Sequence, residues 1–471
     1  MKRQVICMIA EGSYPYVVGG VSSWIQQLIK GHPEKDFIIL SILPSKSDEF
    51  KIKYEIPKNL IEIKTIYLSD VYSHKIDKKV FMKYTPQEIK LISNFIDMIL
   101  SEDTAEALKI LSDVEKSSVF DFTTSKFFWE KICNKYNKNY KDEEFNNFYW
   151  SYKSVFMFLM NVLQNEIPEA DLYHAVSTGY AGVLGALAKL KHNKPYYLTE
   201  HGIYAREREE DILKSDWVKS EFKKIWIDYF YFLSKISYQY ADKIISLFRY
   251  NNELQISLGA RSDRTMVISN GIDVDLLSNI EKEKTKDFIL GSVLRIVPIK
   301  DIKMMVKAFK VAKNEIPNLK LYLIGPYEED LEYYEECVEL VKDLKLSEEI
   351  IFTGRVDIRD YLGKIDIFLL SSISEGQPLS ILEAMSARIP IITTDVGDCR
   401  DILTLYKEFG DAGIVVPPTS YSKMASAIIS LYNNPERLKL LGERAYEIVN
   451  KYYRKEDFIR AYTKLYEEGW G

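Results

Sequence analysis

Short, fully apolar runs alternate with amphipathic segments along most of this chain. QVICMIA (residues 4–10) is apolar at nearly every position, the pattern of a strand buried on both faces. The loop EGSYPYVVGG and the amphipathic segment VSSWIQQLIKG follow it. Strand, glycine loop and helix in that order open a doubly wound α/β domain, with ligands expected at the strand's carboxyl end. The loop is not G-x-G-x-x-G, so nothing in it points to a nicotinamide cofactor. Gly19 and Gly20 stand just before the helix, where backbone N–H groups can meet a phosphate or a sugar. A plain turn is the alternative.

The strand rhythm stops between about residues 75 and 165, where TPQEIKLISNFIDMILS and EEFNNFYWSYKSVFMFLMNVLQ set apolar residues at helical spacing. This predicts a helical insertion in the first domain, its aromatic stripe forming core, with a partner surface as the other reading. The alternation returns with DLYHAVST and GYAGVLGALAKLK. KPYYLTEHG then ends a strand at Thr199, leaving Glu200, His201 and Gly202 at its carboxyl edge. His201 is a candidate sugar-hydroxyl binder, weighed against a structural histidine, and His174 has a similar location. Arg206 and Arg208 read as a basic loop facing an acceptor or a diphosphate, or as surface charges paired with Glu207 and Glu209. A long aromatic helix from Asp216 runs into another strand, and the Asn-Gly turn of TMVISNGIDVDLL reads as the hinge into a second domain.

That domain runs FILGSVLRIVPIKDIKMMVKAFKVA, LKLYLIGP, EIIFTGRV, DIFLLSS and IPIITTD, which predicts a second parallel sheet. Arg295 is expected to end a strand with Lys300 five residues later, a basic loop suited to the growing charge of a diphosphate leaving group. The stretch SSISEGQPLSILEAMSARIPIITTD (371–395) is the most informative in the chain. Pro378 is expected just inside a helix that runs to about Ala387, and Gly376 lets backbone come close to a ligand. Free N–H groups and the helix dipole make this turn, with Gln377 and Leu379 beside it, an anion seat. Glu375 and Glu383 stand eight positions apart, one in the loop and one inside the helix. An ionised carboxylate accepts two hydrogen bonds from a vicinal diol, so the pair beside an anion seat reads as a sugar-nucleotide site. The other reading is an ordinary strand–turn–helix unit with solvated glutamates. Asp273 and Asp275 imitate a metal-binding pair but follow the hinge turn, so no metal is assigned to them.

Composition narrows the picture. At 471 residues the chain exceeds a single core. With 46% hydrophobic and 28% charged residues it has the make-up of a soluble globular protein, and a net charge of −6 argues against nucleic acid as partner. The four cysteines are scattered without a CxxC pair, as expected of reduced thiols in a cytoplasmic protein. The first apolar run is too short for a signal peptide, and SVFMFLMNVL (154–163) is about half a membrane span.

The spacing E-G-x-P-x-x-x-x-E-A-M from Glu375, with R-x-x-P-x-K from Arg295, resembles the donor signature of retaining family 4 glycosyltransferases of GT-B fold. One position departs: that family usually has glycine where Arg388 stands, so the turn before PIITTD is expected to differ in shape. PYVVGGVSSW, YHAVSTGYAG, TEHGIYAREREE and SNGID narrow the resemblance to the cytoplasmic glycosyltransferases of the Pel exopolysaccharide system, over most of the chain. The resemblance implies two Rossmann-like domains facing a cleft. Residues 1–272, with the insertion and a returning C-terminal helix at 455–471, would form the acceptor side, and 273–454 the donor side. It implies a uridine-diphosphate (UDP) sugar donor, either UDP-glucose or a UDP-N-acetylhexosamine, a growing polysaccharide acceptor and an inner-membrane synthase complex as partner. It also implies retention by front-face displacement, with no metal. Carried over, Glu375 binds the donor sugar, Glu383 the ribose, Arg295 and Lys300 the diphosphate, His201 the sugar and Gly20 the phosphate side. Base and ribose fall at Gly354, Arg355 and Val356.

Two other readings stand beside this one. A non-transferring sugar-nucleotide enzyme of the same fold, such as an epimerase, needs no acceptor. An inactive nucleotide-binding subunit of a synthase complex keeps the seat without turnover.

Overall fold

Two all-parallel sheets organise the chain, seen in a computed structural model that describes residues 3–47, 51–72, 83–283 and 285–470. The part of the predicted insertion at 75–82 and the last residue of the predicted terminal helix lie outside those residues. The chain divides into Met1–Ile268 with Tyr462–Gly471, and Ser269–Ala461.

The first unit holds β1 (Val5–Glu11), β2 (Asp36–Leu43), β3 (Leu60–Tyr67), β4 (Leu172–Ala175), β5 (Tyr196–Glu200), β6 (Lys243–Ser246) and β7 (Thr265–Val267). Their order in the sheet is β3-β2-β1-β4-β5-β6-β7. The order reverses at β1, which pairs with β2 on one side and β4 on the other. That reversal opens a crevice at the strands' carboxyl ends. Between β3 and β4 come helices Pro86–Ile96, Thr104–Leu111, Val119–Thr123, Lys126–Asn139 and Phe145–Leu163. Three of these starts are capped by side chains: Thr85 and Glu88 form a capping box on Pro86–Ile96, Ser118 caps Val119–Thr123 and Ser125 caps Lys126–Asn139. Phe148, Tyr152, Phe156 and Leu159 of the longest helix lie in the same core as Ile9 and Leu40 of the central strands. The insertion is therefore part of the first unit's core rather than an appendage.

The second unit holds β8 (Phe288–Val293), β9 (Leu319–Ile324), β10 (Ile350–Gly354), β11 (Ile367–Leu370), β12 (Ile391–Thr394) and β13 (Gly413–Val416). Their order is β10-β9-β8-β11-β12-β13, again with a reversal, here between β8 and β11. The terminal helix, Lys455–Glu468, starts in this unit and passes to the first at Tyr462. There Tyr466 accepts a hydrogen bond from Gln4 at its carbonyl, and the Tyr462 hydroxyl lies 3.2 Å from that of Thr199. The four cysteines are free, three of them buried. Among the described residues no helix is long and apolar enough to cross a membrane.

Two backbone positions shape the second unit's loops. Arg388 has φ 57°, the left-handed conformation that a glycine after a helix supplies. Ile389 N donates to Ala384 O at 3.1 Å and Arg388 N to Met385 O at 3.0 Å, closing the helix end in the manner glycine usually permits. The expected change of turn shape is thus not found. The arginine instead takes the strained conformation, its guanidinium 3.8 Å from the Tyr446 ring centre. The second position is Gly325, at φ +144°, where an added Cβ would stand 1.9 Å from Leu294 O. No side chain fits there, and the contact fixes the backbone just before Arg295. Gly325→Ala is expected to destabilise the protein by about 2 kcal/mol or more. An unchanged urea midpoint would show that this contact is not required.

Candidate functional site

The β8–β11 reversal brings together two loops far apart in sequence. Residues 294–301 leave β8 and residues 371–378 leave β11, and because the strands are parallel neighbours both loops emerge on one edge. Backbone and side chains join them: Ile373 N donates to Ile299 O at 2.8 Å, and Ser371 Oγ to Lys300 O at 2.7 Å. Lys300 Nζ donates to Glu375 Oε1 at 2.5 Å, the two side chains only 15% and 11% exposed. Ser372 Oγ donates to the same oxygen at 2.5 Å. No described residue donates to Oε2. Among the sequence candidates, then, Lys300 and Glu375 are in contact.

Arg295 behaves differently. β8 ends at Val293, so Arg295 lies two residues beyond the strand rather than at its last position. Its side chain is half-exposed and donates through Nη1 to both carboxylate oxygens of Glu329, at 2.5 and 2.7 Å.

The helix after this turn is Leu379–Ser386, with Pro378 as its N-cap rather than inside it. No side chain caps that first turn, so its N–H groups keep the partial positive charge of a helix start. Gly376 is half-buried on the approach to it. Gln377 turns inward instead: its Oε1 accepts from Asn270 N at 2.7 Å and its Nε2 donates to Asp398 at 2.6 Å. It braces the turn from behind and does not face the seat. Asp398 N donates to Gly376 O at 3.0 Å, and burial pushes the Asp398 carboxyl up to about 8. Asp398 was not a sequence candidate, although it follows the strand β12 in a V-G-D turn of the kind that ends at a site edge. Glu383 sits one turn into the helix, and burial pushes its carboxyl up to about 7. No described residue donates a hydrogen bond to it. Gly354 closes β10 at φ +67°, and Arg355 and Val356 are exposed beyond it. Asp273 and Asp275 are occupied elsewhere: Asp273 caps Leu276 N at 3.0 Å, and Asp275 pairs with Arg454 at 2.5 Å. Among the described residues no group of three or more His, Cys, Asp and Glu is arranged to hold a metal ion.

In the first unit the crevice beside β1 opens into a cavity of about 590 Å³. Glu11, Ser177, His201 and Arg208 are among its polar lining residues, and Trp217, Trp226 and Phe230 among its aromatic ones. His201 follows β5 directly and packs edge-on against Trp24, 4.8 Å between ring centres. Burial lowers its pKa to about 4, so the ring is neutral near pH 7. Its Nε2, with Ser177 Oγ and Arg208 Nε, has no hydrogen-bond partner among the described residues. Unpaired polar atoms of this kind around an open volume suit a ligand with hydroxyl groups. Glu11 is half-buried beside them, its carboxyl raised by burial against the pull of the Tyr204 hydroxyl 2.9 Å away.

The other first-unit candidates sit elsewhere. His174 lies within β4 and has no exposed surface, its Nδ1 2.9 Å from the Tyr466 hydroxyl and its Nε2 2.8 Å from Thr199 Oγ1. Both nitrogens are taken, so it has none for a sugar. Arg206 and Arg208 are on a helix, Tyr204–Lys214, and not in a loop. Arg206 points outward, while Arg208 reaches the cavity and pairs with Asp211 at 3.1 Å. Gly20 is the first helical residue of Gly20–Gly31, with Gly19 its N-cap. A Cβ at either glycine would meet nothing within 4 Å, so both backbones face open space.

Comparison with known proteins matches this layout. Residues 4–263 match the family model described as Domain of unknown function (DUF3492), and residues 273–448 match Glycosyl transferases group 1. An uncharacterized glycosyltransferase, MJ1178, of Methanocaldococcus jannaschii is 28% identical over 312 residues, covering 65% of this chain and 78% of that protein. The N-acetyl-alpha-D-glucosaminyl L-malate synthase of Bacillus anthracis is 30% identical over 169 residues, 36% of this chain and 42% of its own length. Among solved structures, sucrose-phosphate synthase from Thermosynechococcus elongatus superposes with TM-score 0.62 at 17% identity, covering 99% of both chains. HepE of Anabaena, solved in complex with UDP, gives TM-score 0.62 at 14% identity over 98% of this chain and 99% of that one. At such identities the structures establish a shared fold, the two-domain GT-B architecture. The chain belongs to the DUF3492 family and is a glycosyltransferase of group 1 type.

Proposed function

We propose that this glycosyltransferase takes its sugar from a UDP-sugar, transfers it with retention of configuration and extends an exopolysaccharide of the Pel type. The observation that carries the donor half is the β8–β11 edge, where Lys300, Glu375 and the uncapped start of Leu379–Ser386 converge. A diphosphate there meets the lysine point charge, the Arg295 guanidinium and the helix end, which together answer the charge of the leaving group. The bond from the sugar carbon to the diphosphate breaks, an acceptor oxygen bonds to that carbon, and the acceptor proton passes to the departing diphosphate. No metal is needed in this scheme. Glu375, with one oxygen still open, holds the donor sugar, and Glu383, half-buried and with no hydrogen-bond donor to its carboxylate among the described residues, accepts from the ribose diol. His201, neutral with Nε2 open, binds a sugar hydroxyl. Solved complexes of HepE with UDP and with UDP-glucose support the choice of donor.

The Pel assignment rests on the sequence segments that carry the resemblance. In that role the enzyme works in the cytoplasm beside an inner-membrane polysaccharide synthase complex. The direct test is incubation of the purified protein with a panel of nucleotide sugars, following nucleoside diphosphate release with and without acceptor. Release from a UDP-sugar is expected, and release only from other nucleotides contradicts the donor.

Three outcomes follow from the assigned roles. Glu375→Ala should abolish transfer yet leave UDP binding largely intact, whereas Glu383→Ala should weaken UDP binding by roughly 1.5–3 kcal/mol. Equal loss of affinity by calorimetry in both variants would sink this division. Because burial pushes the Glu383 carboxyl up to about 7 and the ribose is held by the carboxylate form, UDP affinity should fall as pH drops from 8 to 6. Glu383→Gln should lack that part of the pH dependence, and identical profiles in the two proteins would contradict the role. Turnover should survive excess EDTA, whereas Lys300→Ala should lose on the order of 10²-fold in rate. Arrest by chelation and rescue by magnesium or manganese would overturn the metal-free leaving group.

A further inference from the structure

The two cations of the β8 loop are engaged in different ways, and the difference has a consequence for turnover. Lys300 is held in a recess by Glu375. Arg295 is 54% exposed, and so is its partner Glu329 at 52%. An ion pair that open contributes little to stability, so its role in the fold is slight.

Glu329 belongs to the segment Pro326–Asp330, PYEED, which joins β9 to the helix Leu331–Asp343. This segment is fixed at both ends. At one, Ile296 N donates to Pro326 O at 2.9 Å. At the other, Asp330 caps the helix by accepting from Tyr333 N at 3.0 Å. Of the three consecutive acids, Glu328 folds back to accept from Tyr327 N at 3.1 Å, and Asp330 serves its helix. Glu329 is the one that reaches across the sheet edge to the β8 loop, where both its oxygens accept from Arg295. A carboxylate offers a guanidinium two oxygens in nearly the arrangement that a phosphate does.

We propose that Glu329 is a displaceable stand-in for the donor's diphosphate. It holds the Arg295 guanidinium in the absence of nucleotide, gives way when the diphosphate arrives, and recaptures the arginine as nucleoside diphosphate leaves. The proposal rests on the reading of Arg295 as a diphosphate contact. Competition from a fixed carboxylate loosens nucleotide binding and speeds product release. The acidic loop is thereby part of the catalytic cycle and not a solvated turn.

The test uses the full chain and compares wild type, Glu329→Gln, Arg295→Ala and the double variant, with UDP and with uridine as ligands. Glu329→Gln is expected to bind UDP more tightly by on the order of 5-fold, the range open to an exposed pair, and to be inhibited by UDP at lower concentration. Uridine, which lacks the diphosphate, should bind the two proteins alike. The gain should vanish in the double variant and shrink at high salt. If Arg295→Ala weakens UDP binding but Glu329→Gln matches or falls below wild type, the stand-in role is wrong while the donor reading stands. If Arg295→Ala binds UDP as wild type does, the diphosphate reading of Arg295 fails and the proposal with it. Glu329 lies on the surface, so thermal unfolding of Glu329→Gln should match wild type, and this separates an effect on binding from one on folding.

Discussion

At the edge of the second unit where the parallel sheet reverses, a single ion pair joins the loops after β8 and β11. Lys300 and Glu375 are 75 residues apart in sequence and 2.5 Å apart in space, with Ser372 donating to the same carboxylate oxygen. The backbone bond from Ile373 to Ile299 sets the two loops side by side before any charge is considered. Removing one partner of a pair this enclosed leaves an uncompensated charge, a cost of about 3–5 kcal/mol for fully buried cases. The pair therefore ties together two loops that the backbone already holds side by side, and it aims the Glu375 carboxylate with one oxygen left open.

The supports beneath this edge are geometric rather than electrostatic. Gly397, at φ +53°, lies where an added Cβ would stand 2.3 Å from Glu375 O and 2.5 Å from Gly376 O. The loop after β12 thus closes against the turn from below, and Gln377 bridges Asn270 and Asp398 to hold it there. In the first unit the same logic appears with hydrogen bonds. Glu200 accepts from Thr178, Tyr238 and Gln255 and is buried to 1% exposure, anchoring the end of β5 just before His201. A carboxylate so enclosed is held mainly by those donors, since burial alone raises its pKa. The next residue, His201, keeps its Nε2 without a hydrogen-bond partner among the described residues.

The fold was legible because central strands such as β1 and β11 are buried on both faces and so read as unbroken apolar runs. The reading lost detail where partners come from far along the chain. His174 and His201 look alike in sequence, each at or near the carboxyl end of a strand. Only Tyr466 and Thr199, 292 and 25 residues from His174, distinguish the sealed histidine from the open one. The helix Tyr204–Lys214 reads as a loop in the sequence because YAREREEDILK has few apolar positions to show a period. Its support is charge at helical spacing, Arg208 with Asp211 and Glu210 with Lys214. Pro378 fell one position outside the helix, the ordinary uncertainty of a helix start. Glu329 could not be found from the sequence at all, since nothing in PYEED says which of three acids turns toward Arg295.

Hydrogen exchange of backbone amides with and without UDP tests the central claim most directly. If the β8–β11 edge is the nucleotide seat, UDP should slow exchange in residues 294–301 and 373–383, together with the strand ends that carry them. Protection absent from both loops, or confined to the cavity lined by Glu11 and His201, would contradict that assignment.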